Sequence, residues 1–170
     1  MANKITLFLT LFICAVALFP ERVTIPVKGA TRQDWNSKSF WYEPWGTSGV
    51  HKGIDVFAKK GTDVISTTDG IVLFTGNLPK GGNVIAVLGP GWKIHYFAHL
   101  DSIDTTIASV VTSGATIGTV GDSGNAKGKP AHLHYAIVRM YPVPWEIDQS
   151  TQGYKKAFFI DPGAFLREKH

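Results

Sequence analysis

Histidines are the residues of this chain with the most versatile chemistry, because imidazole binds metal ions and moves protons near neutral pH. The sequence contains six of them. His51 is followed four residues later by Asp55, and His132 and His134 are separated by a single residue. His99 lies between these two patterns. These five side chains are therefore the first candidates for a metal site or an acid–base site.

The first pattern runs from His51 to Asp55 and has Gly53 at its centre. On a straight strand, residues four apart are separated by about 13 Å, whereas two ligands of one zinc ion each lie about 2 Å from the metal. We expect Gly53 to provide a bend or bulge closed to other residues, which would aim the imidazole and the carboxylate at one point. A surface turn is the alternative interpretation of this short pattern.

The second pattern, His132-Leu133-His134, is typical of a strand. Side chains at positions i and i+2 of a strand face the same side, so the two imidazoles share one surface while Leu133 points into the core. One imidazole can then bind a metal while its neighbour faces the attacking water. A pair of hydrogen-bonded histidines beside the core is the alternative.

A third group of candidates lies on residues 93–100. The alternation along this run places His95, Phe97 and His99 on one face of a strand. His99 comes at the strand end, where active-site groups often project. We expect His95 to be a structural residue or part of a cleft wall.

Two histidines and one aspartate form a three-ligand set that leaves one zinc position open for water. A closed structural zinc site usually includes cysteine, and the one cysteine, Cys14, lies in the apolar amino-terminal stretch. Iron can use the same set, but an oxygenase needs a cosubstrate site that the sequence does not indicate. Residues 124–130 lack the glycine spacing of a phosphate loop, and neither Gly-x-Ser-x-Gly nor His-Glu-x-x-His is present.

The elements that must position these residues are short strands. The 170 residues include 18 Gly and 9 Pro, and only 18% are charged, which favours a turn-rich β protein. Apolar runs recur about every 8–12 residues between turn signals, which predicts an all-β sandwich or barrel. Asp161 can cap a short final helix that begins at Pro162. The predicted strands cover residues 63–66, 71–75, 84–88, 93–100, 116–120 and 132–138.

The amino terminus carries an apolar stretch at residues 5–19, preceded by Lys4 and closed by Pro20. This stretch is shorter than the roughly 20 residues of a membrane-spanning helix. With the small residues at 15–17, it predicts a secretory signal; an uncleaved membrane anchor is the alternative. Residues 21–170 are then expected to form a single exported domain without a disulfide.

The combined motifs resemble the lysostaphin-like (LytM-type) zinc endopeptidases of peptidoglycan. The motifs occur in the order typical of that family and span residues 46–138, which is more than half of the chain. They lie at residues 51–55, 61–64, 69–72, 96–100, 118–125 and 132–135.

This resemblance implies one zinc ion per chain, held by His51, Asp55 and His134, with His99 and His132 as the catalytic histidines that do not bind the metal. It also implies a mostly antiparallel β sandwich of the duplicated hybrid-motif type, with a long groove walled by loops. The expected activity is hydrolysis of the peptide stems or cross-links of bacterial peptidoglycan.

A non-catalytic wall-binding or hydrolase-activating domain is the rival function, because some members of the family lose metal ligands. The presence of all five site residues favours catalysis. The expected partner is peptidoglycan peptide, with a regulatory protein left open. The net charge of +4 includes no basic run, so no nucleic-acid partner is predicted. We expect a monomer in the periplasm or cell envelope, with membrane contact only through residues 5–19 if that segment anchors the chain to the inner membrane.

Two regions depart from the family pattern. Residues 127–131 form a longer segment than is common before the last motif, so one groove wall is expected to be reshaped. The segment before the first motif is rich in aromatic residues, which either line the groove or pack against the sheet. These residues are Trp35, Phe40, Trp41, Tyr42 and Trp45.

Overall fold

The computed structural model describes residues 21–169, so the predicted signal or anchor at residues 1–20 lies outside the described residues. Within 21–169, no helix has the length and apolar character needed to cross a membrane. The described strands are β1 (Ile54–Phe57), β2 (Asp63–Ile65), β3 (Gly70–Leu78), β4 (Gly82–Gly89), β5 (Lys93–Ile103), β6 (Val110–Val111), β7 (Thr116–Val120), β8 (His132–Arg139) and β9 (Phe159–Ile160), and they are followed by helix α1 (Pro162–Lys169).

The strands form a mostly antiparallel sheet in the order β1–β8–β5–β4–β3–β6. Strand β7 pairs with both β2 and β5, and β9 pairs with β8. This architecture confirms the predicted all-β fold class, and each of the six predicted runs is a strand. Strands β1, β6 and β9 were not predicted, because two to four residues are too few to show an alternating pattern.

Alternation along β8 separates the core from the opposite face of the sheet. Leu133 and Tyr135 are fully buried in the main apolar cluster, while His132 and His134 face away from it. The apolar cluster also includes residues before the first motif, such as Val27. The segment upstream of the motifs is therefore part of the packed structure.

Helix α1 begins as the sequence predicts. The Asp161 Oδ1 atom accepts hydrogen bonds from the backbone N–H groups of Gly163, at 2.8 Å, and Ala164, at 3.1 Å. Pro162 occupies the first helical position, where a missing N–H costs nothing. Phe165 of this helix packs into the core, so the helix covers the sheet.

Strand β5 changes partner at His99. The residues up to Ala98 pair with β8, whereas Leu100 pairs with β7. On β4, two positions separate Asn83 from Ile85, while the opposing residues on β5 are three positions apart. One extra residue on one strand is a β-bulge, and His99 has a left-handed φ of 65° there.

The bulge shifts the alternation of side chains along β5. His95 and Phe97 are buried at 0% exposure, while Tyr96, Ala98 and His99 line a groove on the other face. The prediction that His95, Phe97 and His99 share one face is therefore wrong. Strict alternation holds only where each residue keeps extended backbone angles, and His99 does not.

Candidate active site

A groove of about 630 Å³ crosses the sheet where β1, β8 and β5 lie side by side. Loops around residues 45–52 and 125–130 form its walls. The structure places all five predicted site residues on the lining of this groove: His51, Asp55, His99, His132 and His134.

Strand pairing brings the first two candidate ligands together. Asp55 on β1 lies directly opposite His134 on β8 in the antiparallel ladder, and directly opposed side chains point to the same face. The Asp55 Oδ1 atom is 2.9 Å from His134 Nδ1. The β1–β8 register therefore sets the distance between these two groups.

Gly53 allows this approach through the predicted bend and through a close contact that the sequence did not indicate. It lies at a bend directly before β1, as predicted, and does not have a positive φ. A Cβ atom at this position would lie 2.9 Å from Cε1 and 3.0 Å from Nε2 of the His134 ring. Glycine is needed here because the His134 ring packs directly against the backbone.

His51 is buried and completes the group of three. Its Nε2 atom lies 3.1 Å from Asp55 Oδ1 and 3.1 Å from His134 Nδ1. Its Nδ1 lies 3.0 Å from the Ser39 carbonyl oxygen, which can only accept, so Nδ1 carries a proton and donates. In the neutral ring, Nε2 therefore presents a lone pair to the Asp55 carboxylate.

This donor set fits a metal cation. Two lone-pair atoms 3.1 Å apart repel each other unless a positive charge lies between them, and two ligands of a tetrahedral zinc are separated by roughly 3.3 Å. Burial alone would raise the pKa of Asp55, but contacts with His134 and His51 outweigh it and hold the pKa below its usual value. The carboxylate is therefore ionised, as a metal ligand must be.

The other two histidines have a common arrangement. His99 Nδ1 donates to the Ser123 carbonyl at 2.9 Å, and His132 Nδ1 donates to the Pro130 carbonyl at 2.8 Å. Each ring therefore keeps Nε2 as a proton acceptor. The ring centroids of His99 and His132 are 5.1 Å apart, and His132 Nε2 is 3.9 Å from Asp55 Oδ2. Two further imidazoles thus stand beside the three-residue cluster.

The environment keeps His99 neutral. Burial and the nearby His134 and His132 rings lower the pKa of His99 to about 4. Burial also lowers the pKa of His134, although its contact with Asp55 acts in the opposite direction. At neutral pH the His99 ring can therefore accept a proton, as a general base must.

His95 does not belong to this site. It is fully buried on the core face, where its Nδ1 atom is 2.6 Å from the Tyr135 hydroxyl oxygen. Of the two roles expected for His95, the structure shows the structural one and not the cleft wall. Burial and nearby Lys93 lower the pKa of His95 to about 3.

The aromatic segment contributes more to the site than the sequence indicates. Trp45 stacks on the His51 ring at a centroid distance of 4.0 Å and also lines the groove. The backbone of His51 exchanges hydrogen bonds with Trp41 and Tyr42, at 2.7 and 3.0 Å. Trp35, by contrast, packs in the core. The segment therefore shows both predicted alternatives, because Trp45 lines the groove and Trp35 packs in the core. The number of aromatic residues just before His51 was the sequence feature that could have indicated a role in the site.

The sequence matches a known family over the region that contains these site residues. The model of Peptidase family M23 matches residues 49–145 of the chain. An L-Ala–D-Glu endopeptidase of Bacillus subtilis (strain 168) is 37% identical over 117 residues, which is 64% of this chain and 36% of that protein. The murein hydrolase activator NlpD of Escherichia coli (strain K12) is 32% identical over 105 residues, which is 61% of this chain and 27% of that protein. The chain thus spans about a third or less of these relatives.

Solved structures share the fold. The catalytic domain of lysostaphin from Staphylococcus simulans superimposes with a TM-score of 0.63 at 24% identity, over 80% of this chain and 95% of that one. A zinc-containing peptidase from Vibrio cholerae superimposes with a TM-score of 0.56 at 28% identity, over 69% of this chain and 37% of that one. The sheet architecture is therefore one that solved peptidase structures share.

Proposed function

The chain belongs to peptidase family M23, and from this premise we propose that it is a zinc-dependent endopeptidase that hydrolyses peptide stems or cross-links of bacterial peptidoglycan. The observation that supports it best is the meeting of His51, Asp55 and His134 beside two further histidines in one groove. The name of the Bacillus subtilis relative supports a peptide substrate that contains L-Ala and D-Glu.

His51, Asp55 and His134 would hold one zinc ion. Two nitrogen ligands and one carboxylate leave a coordination position for water or substrate. When bound, zinc supplies a Lewis acid that polarises the scissile carbonyl and acidifies the attacking water. The Ser39 carbonyl fixes the His51 ring so that Nε2 faces the cluster, and an oriented ligand of this kind binds metal more tightly.

His99 and His132 would move the protons. One Nε2 atom would accept the proton of the attacking water. The other ring, in its imidazolium form, would stabilise the developing oxyanion through Nε2–H and deliver that proton to the leaving amine. The backbone carbonyls of Ser123 and Pro130 hold both Nδ1–H groups. Each ring therefore faces the reaction with the nitrogen that can exchange a proton. Which histidine is the base stays open.

Digestion of purified peptidoglycan sacculi tests this function. We expect soluble peptides with new amino termini, identified by mass, and we expect a chelator to stop their release and added zinc to restore it. A zinc-loaded protein that releases no peptide from any wall preparation would contradict catalysis.

A second candidate function is activation of another wall hydrolase. The similarity to the murein hydrolase activator NlpD supports this alternative. To separate the two functions, the chain is added to sacculi with and without a purified amidase that cleaves the wall. Release that depends entirely on the amidase supports activation, while release by the chain alone supports catalysis.

We also propose export of the chain to the cell envelope, because its proposed substrate lies there. Residues 5–19 supply the predicted signal or anchor. Terminal sequencing of the protein from fractionated cells tests this proposal. A start soon after Ala17 supports a cleaved signal, and an intact Met1 in the membrane fraction supports an anchor. An intact Met1 on soluble cytoplasmic protein contradicts export.

A further inference from the structure

The groove has a marked excess of positive charge outside the three-residue cluster. Lys52, Lys80 and Lys129 all line it, whereas Asp55 is the one acidic residue on its described lining. Asp55 is already engaged by His51 and His134. The carboxylate at the floor of the groove therefore does not neutralise the lysines on its walls.

Two of the lysines point their amines at one loop. Lys52 Nζ donates to the carbonyl oxygens of Ser48, at 3.1 Å, and Val50, at 3.4 Å. Lys80 Nζ donates to the carbonyl oxygen of Thr47 at 3.3 Å. An ammonium group has three N–H donors. At least one donor on Lys52 and two on Lys80 therefore stay available for a ligand.

Lys129 approaches the same loop from the opposite wall. It lines a neighbouring cavity of about 260 Å³ together with Trp45, Thr47 and Ser48. All three lysines therefore border the part of the groove next to the loop that contains Thr47 and Ser48.

Four lysines elsewhere in the described chain have carboxylate partners. Lys28, Lys60, Lys93 and Lys156 each form an ion pair with a carboxylate. Within residues 21–169, the structure pairs none of the three groove lysines in this way. Like charges held close together repel each other unless an anion lies between them. The arrangement therefore suits an anionic ligand.

We propose that Lys52, Lys80 and Lys129 form a carboxylate-binding subsite, so that the groove selects acidic peptides with a free carboxylate near the bond to be cleaved. The proposal rests on the proposed peptidase function. It adds a specificity determinant that is separate from the residues that hold the metal or move protons.

Chemical amidation of the wall provides the test. Purified sacculi are split into two portions, and the carboxylates of one portion are converted to carboxamides with a carbodiimide and ammonia. Initial rates of peptide release and co-sedimentation of the protein are measured on both. The variants are Lys80→Gln and Lys129→Gln, with Lys59→Gln as the control, because Lys59 is exposed and lies outside the groove lining.

We expect the wild-type chain to digest and bind native sacculi about tenfold better than amidated sacculi, the usual worth of one charged hydrogen bond. Lys80→Gln and Lys129→Gln should bring the ratio of native to amidated rates close to one, and Lys59→Gln should keep the wild-type ratio. Equal wild-type rates on both walls would overturn the subsite while leaving the peptidase function standing. A wild-type ratio in Lys80→Gln and Lys129→Gln would also overturn it.

The co-sedimentation measurement tests the subsite independently of the proposed peptidase function. If no wall is digested, a preference for native sacculi in co-sedimentation that Lys80→Gln and Lys129→Gln abolish supports the subsite without catalysis. Equal binding of both walls in that case overturns the subsite as well.

Discussion

The two faces of strands β5 and β8 carry histidines in contrasting surroundings. On the groove face, His99 and His132 donate Nδ1–H to backbone carbonyls and keep Nε2 as a proton acceptor. On the core face, His95 contacts the Tyr135 hydroxyl and packs against Phe165. Every one of these rings has a hydrogen-bond partner. Hydrogen bonding alone therefore does not distinguish a proposed catalytic histidine from a structural one.

Access to the groove is what separates the two kinds. The core around His95 leaves no space, since a Cβ atom on Gly89 would lie 3.1 Å from its Nε2. The rings of His99, His132 and His134 border a cavity large enough for a peptide. The same two strands thus place proposed chemistry on one face and packing on the other, and mutations on the two faces should have separable effects.

The largest effect should follow from His134→Ala. With only two ligands left, zinc content should fall from about one ion per chain to near zero, and peptide release should fall by at least about 10⁴-fold. Elemental analysis and wall digestion measure the two. His95→Ala is the matched control and should retain its zinc. Full zinc occupancy in His134→Ala would show that the ligand set is wrong.

The next effect should follow from His99→Ala and His132→Ala. Both variants should keep zinc and fold, because neither ring belongs to the three-residue cluster. Peptide release should fall by roughly 10²–10⁴-fold, the usual worth of a positioned acid–base group. Zinc content, circular dichroism and digestion are measured side by side. Wild-type activity in His99→Ala would remove that residue from the mechanism.

His95→Ala should lower stability and leave zinc binding and activity nearly unchanged. Loss of a buried ring leaves a cavity and an unsatisfied Tyr135 hydroxyl, so the free energy of unfolding should fall by about 3 kcal/mol. Zinc content and digestion rate at low temperature should stay close to wild type. Denaturant unfolding followed by tryptophan fluorescence measures the stability. An inactive His95→Ala variant with unchanged stability would contradict the proposed difference between the groove face and the core face.

The smallest effect should be the change in stability over a single pH unit. The pKa of His95 is lowered to about 3 by burial and Lys93, whereas an unfolded histidine titrates near 6.5. Between these values the unfolded chain binds a proton that the folded chain does not, so stability is present above pH 6.5 and is lost as the pH falls toward 3, by roughly 1 kcal/mol per unit. Denaturant unfolding at several pH values should show a flatter profile for His95→Ala than for wild type. Parallel profiles would contradict this origin.

The sequence predicted which residues meet in the groove better than it predicted the orientation of their side chains. His132 and His134 follow an uninterrupted alternation on β8, so period two was sufficient to place them on one face. His99 departs from it because of a left-handed φ of 65°, a conformation that histidine adopts only occasionally and that no neighbouring glycine signals.

Other features of the site could not be predicted from the sequence, because they depend on contacts between residues that are far apart in the chain. Nothing local to Gly53 indicates that the His134 ring lies against it. The support of His51 by the Ser39 carbonyl and the Trp45 ring depends on how a loop folds back over the sheet. By contrast, Asp161 and Pro162 predicted the helix start, because capping involves only adjacent residues.

The β1–β8 ladder has a consequence for when the chain becomes able to bind a metal. Asp55 and His134 are 79 positions apart, and His51 and His134 are 83 positions apart. Closing so large a loop costs entropy before any contact repays it, so this pairing belongs to the late events of folding. A nascent chain therefore cannot assemble the three-residue cluster until His134 has been synthesised and β8 has paired with β1, so the proposed metal site forms only with the folded sheet.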